Sequence, residues 1–201
     1  MKVVAAVGLP LIWSNAVLPR LGLGIRGRTV ANAGFATGYS LVFDGRPNWL
    51  SAKGFRYGFG AASAVAAGYA VALAVPSMRK RLRGFGDRAP EVSVAEWVGV
   101  HIPVGTVYSE EIVFRATLDP LLDNSFGEPV GSVLGSVVFG LWHIHPARAA
   151  GDSVPVAVAV TTVGGLVLGW LRRRTGSALA PALLHLAINV GGAVAPQVAR
   201  V

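Results

Sequence analysis

Five stretches of the chain contain no Asp, Glu, Lys or Arg over 17–23 residues. They are residues 3–19, 57–78, 129–147, 153–171 and 177–199. Each is close to the roughly 20 residues that a helix needs to cross ~30 Å of hydrocarbon. In lipid, every backbone polar group must find its partner within the protein, and continuous apolar runs favour helices over a barrel. The sequence therefore predicts an all-α, polytopic transmembrane helical bundle.

Two weaker segments, residues 29–43 and 92–118, raise the predicted number to about seven helices. Charged residues make up only 14% of the chain, against about 25% in soluble domains. The first span lacks a convincing small-residue cleavage site, so we expect a retained helix and not a signal peptide. We divide the chain into N-terminal membrane helices, residues 1–91, and a second group of membrane helices, residues 92–201. A polar loop is predicted at residues 119–128.

The net charge of +8 comes mostly from arginines beside the spans. One cluster covers residues 79–88 and another covers residues 172–174. Such clusters are typical of membrane topology and of contact with anionic headgroups, and no nucleic-acid recognition motif is present. We therefore expect the lipid bilayer, and no nucleic acid, as a partner. Strict alternation puts the two clusters on opposite faces; a re-entrant segment is the alternative.

Two adjacent carboxylates, Glu110 and Glu111, lie in an apolar segment, where a charged side chain at a helix centre costs about 2.5–3.5 kcal/mol. Glu111 and Arg115 are four residues apart on one helix face, so they can form an ion pair. Glu110 is turned about 100° from Glu111 and stays free. A buried structural ion-pair cluster is the alternative to a functional site.

Polar residues recur in two later helices. Phe139 and His143 share one helix face, as do His185 and Asn189. If these residues face Glu110, the cluster contains a general base, two histidines as donors or ligands, and an amide donor for an oxyanion. Such a set predicts a water-activating hydrolytic site. The chain has no cysteine, and it lacks both the serine-hydrolase motif and the His-Glu-x-x-His zinc motif.

Three motifs in this order resemble the CAAX prenyl protease and bacteriocin-processing (CPBP, or ABI) family of intramembrane proteases. The sequence has Glu-Glu-x-x-x-Arg at residues 110–115, Phe-x-x-x-His at residues 139–143 and His-x-x-x-Asn at residues 185–189. A Gly-x-x-x-Gly span that leads to Arg-Thr-Gly-Ser, residues 165–177, is also similar. The resemblance covers roughly residues 94–195 and identifies residues 92–201 as a CPBP-like catalytic core.

The resemblance implies an endopeptidase in which Glu110 activates water together with His143, while His185 and Asn189 stabilise the tetrahedral oxyanion. Glu111, Arg115 and Phe139 are expected to support the site. The metal requirement of the family is disputed. Glu110, His143 and His185 could be drawn as ligands of a divalent metal such as zinc, but we favour a metal-free glutamate mechanism.

The expected substrate is a membrane-associated peptide or protein. Fifteen arginines against three lysines, with abundant Ala, Gly and Val, are typical of a GC-rich bacterial genome. We therefore expect an integral multi-pass protein of a bacterial plasma membrane, and a substrate other than a prenylated CAAX protein. His101 is predicted to lie outside the site and His145 at its rim. The alternatives are a non-proteolytic scaffold or immunity protein with the same fold, and a proton-coupled transporter, which inverted repeats would indicate.

Overall fold

The computed structural model describes residues 2–84 and 91–201, and in these ranges the chain forms eight helices and no strand. They are α1 (Lys2–Arg20), α2 (Ile25–Phe43), α3 (Ala52–Ala74), α4 (Pro76–Arg83), α5 (residues 94–126), α6 (Glu128–Ala149), α7 (Val154–Thr175) and α8 (Leu179–Arg200). Among the described residues, α1, α3, α6, α7 and α8 are long and apolar enough to cross a membrane. The helical membrane bundle is therefore confirmed, and α4 is a short addition to the predicted seven helices.

Polar contacts at the helix ends show how the helices alternate. The loop after α2 meets the turn between α7 and α8, where the Ala178 amide donates to the Pro47 carbonyl at 2.8 Å. At the other end of the bundle, Arg83 of α4 donates to the Ala199 carbonyl of α8 at 2.6 Å. The two arginine clusters therefore lie at opposite ends, as strict alternation predicts. Arg88, which the sequence adds to the first cluster, lies outside the described residues.

The predicted loop at residues 119–128 is wrong, because α5 continues as a helix to Phe126. Pro120 cannot donate a backbone hydrogen bond, which leaves carbonyls one turn earlier without their helical donor. Other elements supply these donors: the Arg46 amide donates to the Ala116 carbonyl at 2.9 Å, and Arg172 Nε donates to the Arg115 carbonyl at 3.0 Å. The helix therefore passes the proline without breaking.

Glycines allow the helices around the later motifs to approach closely. A Cβ on Gly131 would lie 2.7 Å from the Asp123 amide nitrogen, and a Cβ on Gly165 would lie 3.0 Å from Ser136 Cα. The glycine pairs four residues apart, Gly131 and Gly135 in α6 and Gly165 and Gly169 in α7, therefore serve close packing, as such pairs usually do in membrane helices. The larger hydrophobic cluster contains buried residues from α1, α2 and α5–α8, and a smaller one joins Ile102 and Val107 of α5 to Ala193 of α8.

Candidate active site

Helix α5 places two adjacent carboxylates in the centre of the bundle. Ser109 and Glu110 lie between two π-helical segments, Trp97–Tyr108 and Glu111–Leu118. Ser109 Oγ donates to the Val104 carbonyl five residues earlier, at 2.9 Å. π-helical turns are rare and occur frequently at functional sites. Glu110 and Glu111 are both buried, although adjacent residues of a regular helix point in different directions.

Glu110 faces groups from two other helices. Its Oε1 accepts a hydrogen bond from Trp142 Nε1 of α6 at 3.2 Å. Its Oε2 lies 3.9 Å from His143 Nε2 of α6 and 3.8 Å from His185 Nε2 of α8. This oxygen is buried and has no hydrogen-bond partner among the described residues. The structure therefore brings Glu110, His143 and His185 together around one unsatisfied carboxylate oxygen.

Hydrogen bonds fix the ring orientation of both histidines. His143 Nδ1 lies 2.8 Å from the Phe139 carbonyl, and His185 Nδ1 lies 2.8 Å from Glu111 Oε1. A backbone carbonyl oxygen only accepts, as does an ionised carboxylate, so with Glu111 ionised each Nδ1 carries a proton and in the neutral ring Nε2 is the acceptor. In their neutral forms, both Nε2 atoms therefore present a lone pair toward Glu110, whereas a ring protonated on both nitrogens donates from Nε2. A water molecule at this point could donate to the carboxylate and to one ring at the same time.

A second carboxylate, Glu111, is part of a charged layer beneath the histidines. Its Oε2 lies 3.6 Å from Arg115 Nε, and the same nitrogen lies 3.9 Å from Asp119 Oδ2. The guanidinium carbon of Arg115 lies 4.4 Å from the centre of the Phe139 ring. Arg115 thus contacts both Glu111 and Phe139. Glu111 in turn is bonded to the His185 ring.

The remaining polar residues singled out by the sequence lie apart from this cluster or contact it through the backbone. Asn189 Nδ2 donates to the His185 carbonyl of its own helix at 3.0 Å. His101 contacts Thr29 Oγ1 at 2.7 Å and Glu96 Oε1 at 3.1 Å. The backbone amide of His145 donates to Asn15 Oδ1 at 2.8 Å.

The side chains around Glu110 include atom types that bind metal ions. Zinc is commonly bound by carboxylates and by neutral imidazoles whose other nitrogen donates a hydrogen bond to an oxygen atom. Within residues 2–84 and 91–201, however, no group of three or more His, Cys, Asp or Glu side chains is arranged to hold a metal ion. The described residues therefore do not form a preformed metal site.

The sequence interpretation missed Trp142 and the polar pair Ser14 and Asn15. Trp142 directly precedes His143, and its indole is the donor to Glu110. Ser14 and Asn15 lie in an otherwise apolar span and bond to α6. Polar side chains in a membrane helix are expensive unless they have partners, so their position in α1 was a signal for interhelical contact.

Comparison with known proteins bears directly on this cluster. Residues 93–191 match the family model of the type II CAAX prenyl endopeptidase Rce1-like proteins. Residues 93–191, about half of the chain, therefore belong to the Rce1-like family. Searches of curated proteins and of solved structures found no significant match. The Rce1-like segment and the five apolar helices among the described residues support an integral membrane protein with a region from a protease family.

Proposed function

We propose that this chain is an intramembrane endopeptidase that hydrolyses a peptide bond of a membrane-associated peptide or protein. The observation that supports this function best is the convergence of His143 Nε2 and His185 Nε2 on the buried Glu110 Oε2, at 3.9 and 3.8 Å. The three residues come from three different helices, which is typical of a site assembled for chemistry in a membrane bundle. The match to an endopeptidase family supports the same reaction class.

In the proposed mechanism, a water molecule donates one hydrogen to Glu110 Oε2 and the other to His143 Nε2. These two bonds direct its lone pair at the carbonyl carbon of the scissile bond. As the new C–O bond forms, the water proton passes to Glu110, which acts as general base. When the C–N bond breaks, Glu110 returns this proton to the leaving amine. Trp142 keeps the carboxylate oriented through its Oε1.

We assign stabilisation of the oxyanion to His185 and Asn189. With both ring nitrogens protonated, His185 Nε2 donates toward the active centre while Nδ1 stays bonded to Glu111. The Asn189 amide has a second hydrogen besides the one donated to the His185 carbonyl, so it can donate without breaking that bond. Such preorganised donors lower the barrier to acyl transfer, typically by about 2.7–4 kcal/mol for one donor.

The proposed substrate is an unprenylated peptide or membrane anchor, for instance a bacteriocin precursor or signalling peptide, in a bacterial plasma membrane. His143 lies near the end of α6, where its side chain is 21% exposed. A peptide that approaches this end of the helix can reach the site close to the membrane surface. Cleavage near one face of the bilayer is therefore proposed.

The test is cleavage of a panel of fluorogenic peptides by the purified full chain in detergent. The panel contains a prenylated peptide and unmodified membrane peptides, each with and without a chelator. Glu110→Gln keeps the side-chain size and the acceptor for Trp142 but removes the base, so we expect turnover to disappear while the fold is retained. The exposed Glu128→Gln serves as the matched control and keeps activity. Unchanged cleavage by Glu110→Gln would contradict the mechanism, and loss of wild-type activity with chelator would establish a metal requirement.

A further inference from the structure

Helix α6 breaks at the residue that faces Glu110. His143 has φ −89° and ψ 5° and separates Glu128–Trp142 from Ile144–Ala149. Two carbonyls before the break lack their helical donors. Pro146 has no amide hydrogen to donate to the Trp142 carbonyl, and the His145 amide donates to a side chain of α1 instead of the Leu141 carbonyl.

Two adjacent residues of α1 replace the missing hydrogen bonds. Ser14 Oγ donates to the Trp142 carbonyl at 2.7 Å. Asn15 Nδ2 donates to the Leu141 carbonyl at 3.0 Å, and Asn15 Oδ1 accepts from the His145 amide at 2.8 Å. The Asn15 amide is therefore inserted between the donor and the acceptor of one helical turn of α6. An insertion of this kind is a recognised cause of a helix kink.

The α1 segment that presents these side chains is itself held in place. Ser14 and Asn15 belong to the π-helical turn Trp13–Val17. The Trp13 indole stacks on Phe35 of α2 with ring centres 4.5 Å apart, and its Nε1 donates to Asn32 Oδ1 at 2.9 Å. Ser14 is buried. The two polar side chains therefore reach α6 from a fixed base and not from a mobile loop.

We propose that Ser14 and Asn15 are positioning residues that hold the break in α6 and thereby aim Trp142 and His143 at Glu110. His143 lies at the break, and Trp142 directly precedes it. Trp142 donates to Oε1 of Glu110, and His143 Nε2 faces Oε2 of the same carboxylate. Both positioning residues lie outside the segment that matches the family model. The effect on catalysis rests on the proposed function, whereas the effect on the α6 backbone does not.

The experiment combines hydrogen exchange of the full chain in detergent with peptide cleavage. Ser14→Ala removes the bond from Ser14 Oγ to α6, and Asn15→Ala removes both Asn15 bonds to α6 together with its bond to the Leu11 carbonyl of α1. We expect backbone amides in residues 141–149 to exchange at least about tenfold faster, because their opening becomes easier. We also expect kcat to fall about 10- to 100-fold, as for a small misplacement of a catalytic group, with KM changed less than about threefold.

Tyr39→Phe is the matched control. It removes a buried hydrogen bond to α1, from Tyr39 Oη to the Ala6 carbonyl at 2.8 Å, at the other end of that helix. We expect it to lower the melting temperature but to leave kcat and exchange in residues 141–149 unchanged. If Asn15→Ala fails to fold, Ser14→Ala, which loses a single oxygen, decides the question.

Exchange in residues 141–149 at the wild-type rate in both alanine variants would overturn the positioning role, whatever the activity. Faster exchange with unchanged kcat would show that the break is held by α1 but is irrelevant to catalysis, which also overturns it. If the wild-type chain cleaves no peptide, the proposed function fails separately. The exchange result then still determines whether α1 holds the break.

Discussion

Arg115 is the strongest test of how the charged layer is stabilised. Its side chain is fully buried and lies within 4 Å of two carboxylates, those of Glu111 and Asp119. Its guanidinium group also lies against the Phe139 ring. Arg115→Met fills most of the same volume but removes the only cation in direct contact with both carboxylates among the described residues. The buried carboxylates of Glu111 and Asp119 then lose the positive charge that lies between them.

The expected loss of stability follows from the burial of these charges. Removing one partner of a buried ion pair typically costs about 3–5 kcal/mol, because the other charge stays in a medium of low dielectric constant. Using the scaling of soluble domains of similar size, this loss lowers the melting temperature by roughly 6–20 °C. Combining Arg115→Met with Glu111→Gln should restore part of it, with a coupling energy of about 1–3 kcal/mol.

Thermal unfolding in detergent, followed by tryptophan fluorescence, measures this effect. Arg26→Met is the control, since Arg26 pairs with Glu96 at 2.7 Å but is 75% exposed in its side chain. Exposed ion pairs contribute little, so the control should shift the melting temperature by less than about 2 °C. Equal shifts for Arg115→Met and Arg26→Met would show that the charged layer is solvated, and the assignment of a buried supporting pair would then be wrong.

Three further substitutions give separate results. Trp142→Phe removes the donor to Glu110 Oε1 and should lower kcat/KM about 10- to 100-fold, since a hydrogen bond to a charged group contributes about 1.5–3 kcal/mol; wild-type kinetics would contradict this. Gly58→Ala puts a Cβ 2.8 Å from Ala180 Cα and should cost about 1–3 kcal/mol in a melting assay, whereas Gly60→Ala, with open space at its Cβ, should not destabilise. His145→Ala should leave cleavage within about threefold, because it keeps the backbone amide that bonds to Asn15; complete loss would place the imidazole in the site.

Much of the fold could be predicted because lipid restricts the choices. Uncharged runs of about 20 residues are long enough to cross the bilayer, and in lipid the backbone of such a run is satisfied as a helix. The positions of the spans could therefore be predicted from the distribution of charged residues. The motif residues were also readable, since an unpaired glutamate or histidine in such a helix needs an explanation. The structure does bring Glu110, His143 and His185 into contact range.

The continuation of α5 was not predictable from its own residues. Pro120 and the polar residues after it are typical of a loop, and the helix persists because Arg46 and Arg172 donate to its free carbonyls. Both donors are far away in sequence. Asp123, which looked like a loop residue, is bonded by two nitrogens of Arg173 at 2.9 and 2.8 Å. Tertiary contacts therefore overrode a correct local preference.

The π-helical turns of α5 set a second limit. A rotation of 100° per residue holds only for a regular α-helix, and the segment before Glu110 is π-helical. Regular helix geometry is therefore no firm basis for the prediction that His101 lies outside the site, although His101 does lie elsewhere, bonded to Thr29 and Glu96. The role of Asn15 could not be predicted from its own segment, because it depends on a break in another helix, 130 residues away in sequence.

The two adjacent glutamates differ in their surroundings, which is why we propose a structural role for Glu111 and a reactive role for Glu110. Glu111 is surrounded by cationic or donating groups, with His185 on one oxygen and Arg115 beside the other. Glu110 has one donor, the Trp142 indole, and its second oxygen faces two ring nitrogens whose neutral forms can only accept. A buried acceptor without a donor costs about 1–3 kcal/mol, and more when it is charged. A water molecule that donates to this oxygen removes that cost, and such a bond is also the first requirement for the hydrolysis that we propose.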